Sequence, residues 1–178
     1  MVLLKSAFRI FAFMADIAKE IETAFGNRLR LRVSGICVQN DSVLLIKHKS
    51  LGKKGILWAP PGGGLKFGET IHEALKREFL EETGLIVEIG ELISVNEYLE
   101  PPLHAVELFF KVIITDGNLS MGLDPELSTE NQIISEIKFI PFSELAILDP
   151  ETVHSLFQTY KSPSDFLKPA LFLQNIIK

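Results

Sequence analysis

The chain has 178 residues, of which 47% are hydrophobic and 23% charged, with a net charge of −5. That is long enough for one domain with a substantial core, and the balance is ordinary for a globular protein. It offers no clustered basic surface, so no nucleic-acid partner is expected. The single cysteine, Cys37, excludes an intrachain disulfide and a thiolate zinc site, and suits a cytoplasmic protein.

Met1 to Met14 is apolar, but Lys5 and Arg9 interrupt it and no run reaches membrane-spanning length. Ile10, Met14, Ile17 and Ile21 recur at helical spacing, so residues 1–27 are read as an amphipathic helix. Its polar face is not strongly basic, which favours packing or a homodimer contact over a membrane. A mean hydropathy of +0.24 agrees with an apolar face buried against a partner chain. Gly26-Asn27 stops the helix. Arg28 to Val38 then alternates as a strand, with Leu29, Leu31 and Val33 opposed to Arg28, Arg30 and Arg32. Asn40-Asp41 turns the chain into a second strand, Ser42 to His48. Ser50 to Ile56 is polar and loop-like. Trp58 to Gly68 is so dense in proline and glycine that a shaped loop is expected, not a helix or a central strand. Thr70 to Thr83 is a helix: Thr70 with Glu73 makes a capping box and Gly84 sits where a left-handed stop belongs. Strands follow at Leu85 to Val95, Ala105 to Thr115 and Ile137 to Pro141, with a turn at Asp116-Gly117-Asn118. From about Glu151 the tail reads as short helical pieces around Pro163 and Pro169. The expected organisation is one domain over residues 28–146 with the N-terminal helix and a helical extension over 147–178.

The helix over 70–83 is wrong for stability alone. Ile71, Ala74 and Leu75 begin an apolar face, and Glu78, Glu81 and Glu82 continue it. Glu78 repels Glu82 four residues on and Glu81 three on, by ~0.2–0.5 kcal/mol each when exposed. All three acids stand at the helix end whose dipole disfavours negative charge. A solvated acidic face is one reading. The other is a divalent cation: crowded carboxylates are hard oxygen ligands suited to magnesium or manganese. Arg77 is placed to pair with one of them.

The loop before the helix decides between these readings. Gly63, Glu69, Arg77, Glu78, Phe79, Glu81, Glu82, Gly84 and Leu85 stand at the nine fixed positions of a motif across residues 63–85, preceded by Pro61-Gly62. This pattern resembles the Nudix signature without a departure. The resemblance implies an α/β fold, a Nudix-type α/β/α sandwich around a mixed sheet. It also implies a Mg2+-dependent hydrolase (Mn2+ as an alternative) that attacks the diphosphate of a small nucleotide-like molecule. Glu78, Glu81, Glu82 and the backbone carbonyl of Gly63 would hold the metal. Glu78 is a candidate base, Glu82 belongs with it in the catalytic set, Arg77 would orient a carboxylate, and Glu69 would brace the loop. A further base often comes from a later loop, where Glu130, and less plausibly Glu126, stands.

Other candidates carry competing readings. Trp58 suits base stacking or packing, and packing is the commoner role beside such a loop. Lys49, Lys53 and Lys54 could meet phosphates or be solvated. His104 and Cys37 read as structural, and the latter setting argues against an isoprenoid diphosphate isomerase. Pro101, 16 residues beyond Leu85, resembles a proline of ADP-ribose-type pyrophosphatases. ADP-ribose or a nucleotide sugar is therefore favoured over a nucleoside triphosphate. The alternative class is a Nudix-fold regulator that binds a nucleotide without cleaving it. The intact motif, and a tail that leaves little room for a module with a basic recognition helix, stand against it.

Overall fold

In the computed structural model, which describes residues 19–124, 129–168 and 171–176, helix α1 (residues 19–25) closes at Gly26. The Gly26 N–H donates to the Glu22 carbonyl, and Asn27 takes a left-handed φ of 55°. Ile21 and Phe25 pack on Ile133 of the same chain. The rest of the expected helix, Ile10, Met14 and Ile17 included, lies outside the described residues.

The alternating segment becomes β1 (Leu29–Ile36) and the short β2 (Val38–Gln39). Asn40 and Asp41 both have positive φ, the geometry of a tight hairpin, and return the chain into β3 (Ser42–Lys49). Two strands then arise inside the segment read as loop: β4 (Ile56–Ala59) and β5 (Gly62–Gly64). The correction has a physical cause. Gly62 to Gly64 pairs antiparallel with Ser34 to Arg32, at the edge of its sheet where an irregular Pro-Gly segment can still satisfy a ladder. Helix α2 (Ile71–Thr83) follows, with Thr70 and Glu73 forming the capping box and Gly84 the left-handed stop at φ 70°. β6 (Leu85–Glu100) and β7 (Leu103–Gly117) make a long antiparallel hairpin, with Pro101 in its turn. β8 (Ile134–Pro141), α3 (Phe142–Leu145) and α4 (Leu156–Thr159) come next.

The tail corrects the sequence reading again. It holds short helical turns, as expected, but ends in a strand, β9 (Leu171–Ile176), parallel to β6. The open edge of β6 offers unpaired backbone groups, and extended backbone satisfies them where a helix could not. Phe166 is buried against Tyr160 with ring centroids 4.8 Å apart. Phe172 is exposed.

Among the described residues the strands form two sheets. One has the order β5-β1-β7-β6-β9 and is mixed, with β1 parallel to β7 and antiparallel to β5. The other is antiparallel, with β3 between β4 and β8 and β2 extending it. One core lies under α2, where Ala74, Leu75 and Phe79 meet Val33, Leu44 and Val112. The second lies between the sheets, where Ile36, Leu45, Phe109 and Ile140 are closed over by Leu156, Tyr160 and Phe166. This is the mixed α/β sandwich expected. No helix among the described residues is long and apolar enough to cross a membrane.

Candidate active site

Helix α2 turns the apolar face of its first half onto the sheet, and the rigid periodicity then carries Glu78 and Glu82 inward behind it. Both are only 5% exposed. Glu81 stands at the rim. Strand β5 runs past these carboxylates at close range. A Cβ on Gly63 would lie 2.4 Å from the Glu78 carboxylate, so a side chain cannot stand there. At Gly62, φ is 148° and a Cβ would lie 2.1 Å from the Val33 carbonyl oxygen. Gly62 donates its N–H to Glu82 Oε2 at 2.8 Å.

Arg77 ties the motif together. Its Nε and Nη2 grip both oxygens of Glu69 at 2.7 and 2.9 Å, the bidentate geometry of a guanidinium on a carboxylate. Nη1 donates to Glu78 Oε1 at 2.7 Å and Glu81 Oε2 at 3.0 Å, and Nη2 reaches the Gly64 carbonyl at 3.2 Å. Arg77 thus links three carboxylates where pairing with one was expected, and Glu69 is bound to it beside the loop.

Burial pushes the Glu78 carboxyl above the ordinary range, against the pull of Arg77. Glu82 is pushed well up, first by burial, then by the charge of Glu78 and, further off, by Asp124; the Gly62 amide and Arg32 oppose this. Glu69 is held down by Arg77. Two desolvated acids that repel each other are a standing cost, and a divalent cation is the group that removes it. The donors fit one: carboxylates, with the glycine backbone pressed against Glu78, are hard oxygen ligands. As they stand the acids do not close into a cage, since Glu78 and Glu81 turn to Arg77 and Glu82 to Gly62. No cluster of three metal-ligating side chains is present among the described residues.

The remaining sequence candidates scatter. Trp58 is buried in the inter-sheet core, with the ammonium groups of Lys47 and Lys138 at 5.5 and 5.1 Å from its ring centre. Lys54 pairs with Asp149 and, at 3.4 Å, with Glu151, so acids of the tail already hold it. Lys53 is exposed. Glu130 sits exposed on the turn Thr129–Asn131, and the charges acting most strongly on Glu82 are those of Glu78, Arg32 and Asp124. Glu126 lies outside the described residues. His104 faces Glu97 at 3.3 Å on the hairpin. Burial raises the Cys37 thiol to about 11, the state of an inert core cysteine.

Sequence reasoning missed four residues. Asp124 is one, its backbone clamped by Gln132 at 2.7 and 2.8 Å so that its charge reaches Glu82. The others are Arg32, Glu107 and His154. Glu107 accepts from Asn96 Nδ2 at 2.8 Å, meets His154 Nε2 at 3.1 Å and ion-pairs with Arg32 at 3.4 Å. Burial opposes its ionisation, but these partners outweigh it and hold the carboxyl down to about 2. A carboxyl whose folded pKa lies below its unfolded value stabilises the fold above the unfolded pKa and loses that effect as pH falls through the folded one. Glu107 should therefore contribute on the order of 3 kcal/mol at neutral pH, fading between about pH 4.5 and 2. Urea unfolding of wild type and Glu107→Gln across that range checks this; a gap that stays constant down to pH 2 contradicts it.

The chain belongs to the NUDIX domain family, whose model matches residues 28–161. It is 38% identical over 94 residues to the ADP-ribose pyrophosphatase of Methanocaldococcus jannaschii, a match that spans 52% of this chain and 55% of that protein. It is 31% identical over 85 residues to the 8-oxo-dGTP diphosphatase of Proteus vulgaris, spanning 48% and 76% respectively. The chain thus covers little more than half the length of the archaeal relative. A solved NUDIX hydrolase from Nitrosomonas europaea superposes with a TM-score of 0.58 at 22% identity, covering 82% of this chain and 79% of that one. At that identity the likeness shows the fold.

Proposed function

We propose that this chain is a Mg2+-dependent pyrophosphohydrolase, with Mn2+ as a substitute. It cleaves the diphosphate bond of a nucleoside diphosphate joined to another moiety, ADP-ribose or a nucleotide sugar before a nucleoside triphosphate. The observation that carries this reading is the burial of Glu78 and Glu82 beside a glycine strand, with Glu81 at their rim. Such an arrangement is costly without a cation and productive with one. The 38% identity to an ADP-ribose pyrophosphatase supports the substrate class.

Glu78, Glu81, Glu82 and the Gly63 carbonyl would hold the ion. A divalent ion there supplies Lewis acidity and neutralises the charge of a diphosphate. The chain's own residues do the rest. Arg77 keeps Glu78 and Glu81 directed, with Glu69 fixing the guanidinium plane. Glu78 is the candidate among them to take a proton from attacking water. The negative charge of Asp124, acting on Glu82 from further off, adds a small pull on a cation. The same reading places the protein in the cytoplasm as a homodimer joined through its apolar N-terminal segment; sedimentation showing only monomer at high concentration removes the dimer.

A phosphate- and nucleotide-release screen over ADP-ribose, nucleotide sugars and nucleoside triphosphates, with and without Mg2+, tests the proposal. Cleavage of a diphosphate-linked nucleoside only with the metal is expected. Binding without cleavage supports a regulator, and cleavage unaffected by chelation overturns the metal assignment.

A further inference from the structure

A polar chain, buried at Asn96, Glu107 and Glu82, runs from the tail of the protein to the glycine strand. At its far end the Leu156 backbone N–H donates to His154 Nδ1 at 3.2 Å, which makes Nδ1 the acceptor and leaves the ring proton on Nε2. Nε2 faces Glu107 Oε2 at 3.1 Å, and Asn96 Nδ2 donates to the same oxygen at 2.8 Å. With that oxygen occupied, Oε1 is left for Arg32, whose Nε lies 3.4 Å away. Arg32 Nη2 then donates to the Gly62 carbonyl at 3.3 Å, and Gly62 in turn donates its N–H to Glu82 Oε2 at 2.8 Å. Asn96 and Glu107 are 1% and 8% exposed, so the anchor is rigid.

We infer that Arg32 is a positioning residue for Gly62: oriented by Glu107, it holds the Gly62 carbonyl, while the Gly35 N–H holds the Pro61 carbonyl at 2.9 Å on the preceding peptide, whose N–H meets Glu82, so that the glycine is fixed from both sides. The inference rests on the reading of Glu82 as a cation ligand. Arg32 is suited to this where lysine is not. Its planar guanidinium fixes the angle between Nε on Glu107 and Nη2 on Gly62, whereas an ammonium satisfies either partner without setting their relation. The glycine cannot set its own direction. It has no side chain to pack, and its φ of 148° is open to few other residues. Register does the rest: Arg32 stands directly opposite Glu107 across β1 and β7, and opposite Gly64 across β1 and β5.

The test uses the full chain with Arg32→Gln, Arg32→Lys and Glu107→Gln. Amide hydrogen exchange, Mn2+ titration by calorimetry, and kcat and KM on the substrate found by the screen are measured together. In both Arg32 variants the Gly62 amide should exchange at least about tenfold faster, while Phe79 in α2 keeps its wild-type rate. The Mn2+ Kd should weaken by about tenfold, in the range seen when groups that orient metal ligands are removed. Turnover should fall through kcat with KM nearly unchanged. Glu107→Gln should show the same effects in part and add little to Arg32→Gln, as expected of residues acting in series. A merely structural role predicts a lower Tm with Gly62 exchange and Mn2+ affinity unchanged, and that outcome overturns the inference. Should the wild type bind no Mn2+ and cleave nothing, the metal-site reading falls, while Gly62 exchange still decides whether Arg32 holds Gly62 in place.

Discussion

Glu82→Gln should abolish turnover, lowering kcat by roughly a thousandfold or about 4 kcal/mol of barrier, and leave the metal-free protein as stable as wild type or more so. The two halves have one cause. Glu82 sits 5% exposed, beside the charge of Glu78, with its carboxyl pushed well above the ordinary range by burial. A carboxyl whose folded pKa is raised costs stability at every pH above its unfolded value, because ionising it in the fold is harder than in the open chain. Glutamine removes that cost at neutral pH and keeps an oxygen to accept the Gly62 N–H. It loses the negative charge a cation needs. Thermal unfolding in chelator should show a Tm equal to wild type or about a few degrees above it. A variant that unfolds more readily in chelator would mean Glu82 is held by partners within the fold; one with near-normal kcat would mean it does not serve the cation.

Arg77→Ala should do the opposite to stability and the same to activity. The guanidinium bonds to Glu69, Glu78, Glu81 and the Gly64 carbonyl. Its removal leaves three half-buried or buried carboxylates facing one another, a loss of roughly 3 kcal/mol in metal-free protein by urea unfolding. Mg2+ should recover part of this, since a dication compensates Glu78 and Glu81 as the guanidinium did. Turnover should fall by about a hundredfold, as when groups that orient metal ligands are lost. Arg77→Lys should rescue little, because an ammonium cannot grip both Glu69 oxygens while reaching Glu78. A stability loss under about 1 kcal/mol, or one that Mg2+ deepens, contradicts this account.

What could be read from the sequence was what a single element decides. The spacing of Glu78, Glu81 and Glu82 puts them on one helical face whatever the rest of the chain does, and the Thr70 capping box and Gly84 stop are local chemistry. What stayed hidden depends on neighbours distant in sequence. Gly62 to Gly64 has no strand propensity and becomes a strand because the edge of β1 is open beside it. Leu171 to Ile176 does so because β6 is. The alternation of residues 28–38 was visible, but not which face mattered. Leu29 is 64% exposed, while Arg32, which reads as the solvent side, is turned to Glu107 and the glycine strand. Asp124 looks like any loop acid until Gln132 fixes its backbone near Glu82.

On the proposed reading, the inward acids of α2 are tolerated because a divalent ion belongs among them. Thermal unfolding of wild type and Glu82→Gln against Mg2+ concentration tests it without reference to any substrate. The wild-type Tm should climb with the logarithm of Mg2+ once the site begins to fill, and that of Glu82→Gln should stay flat. A wild type indifferent to Mg2+ and Mn2+ up to millimolar levels, or a variant that responds equally, would contradict it.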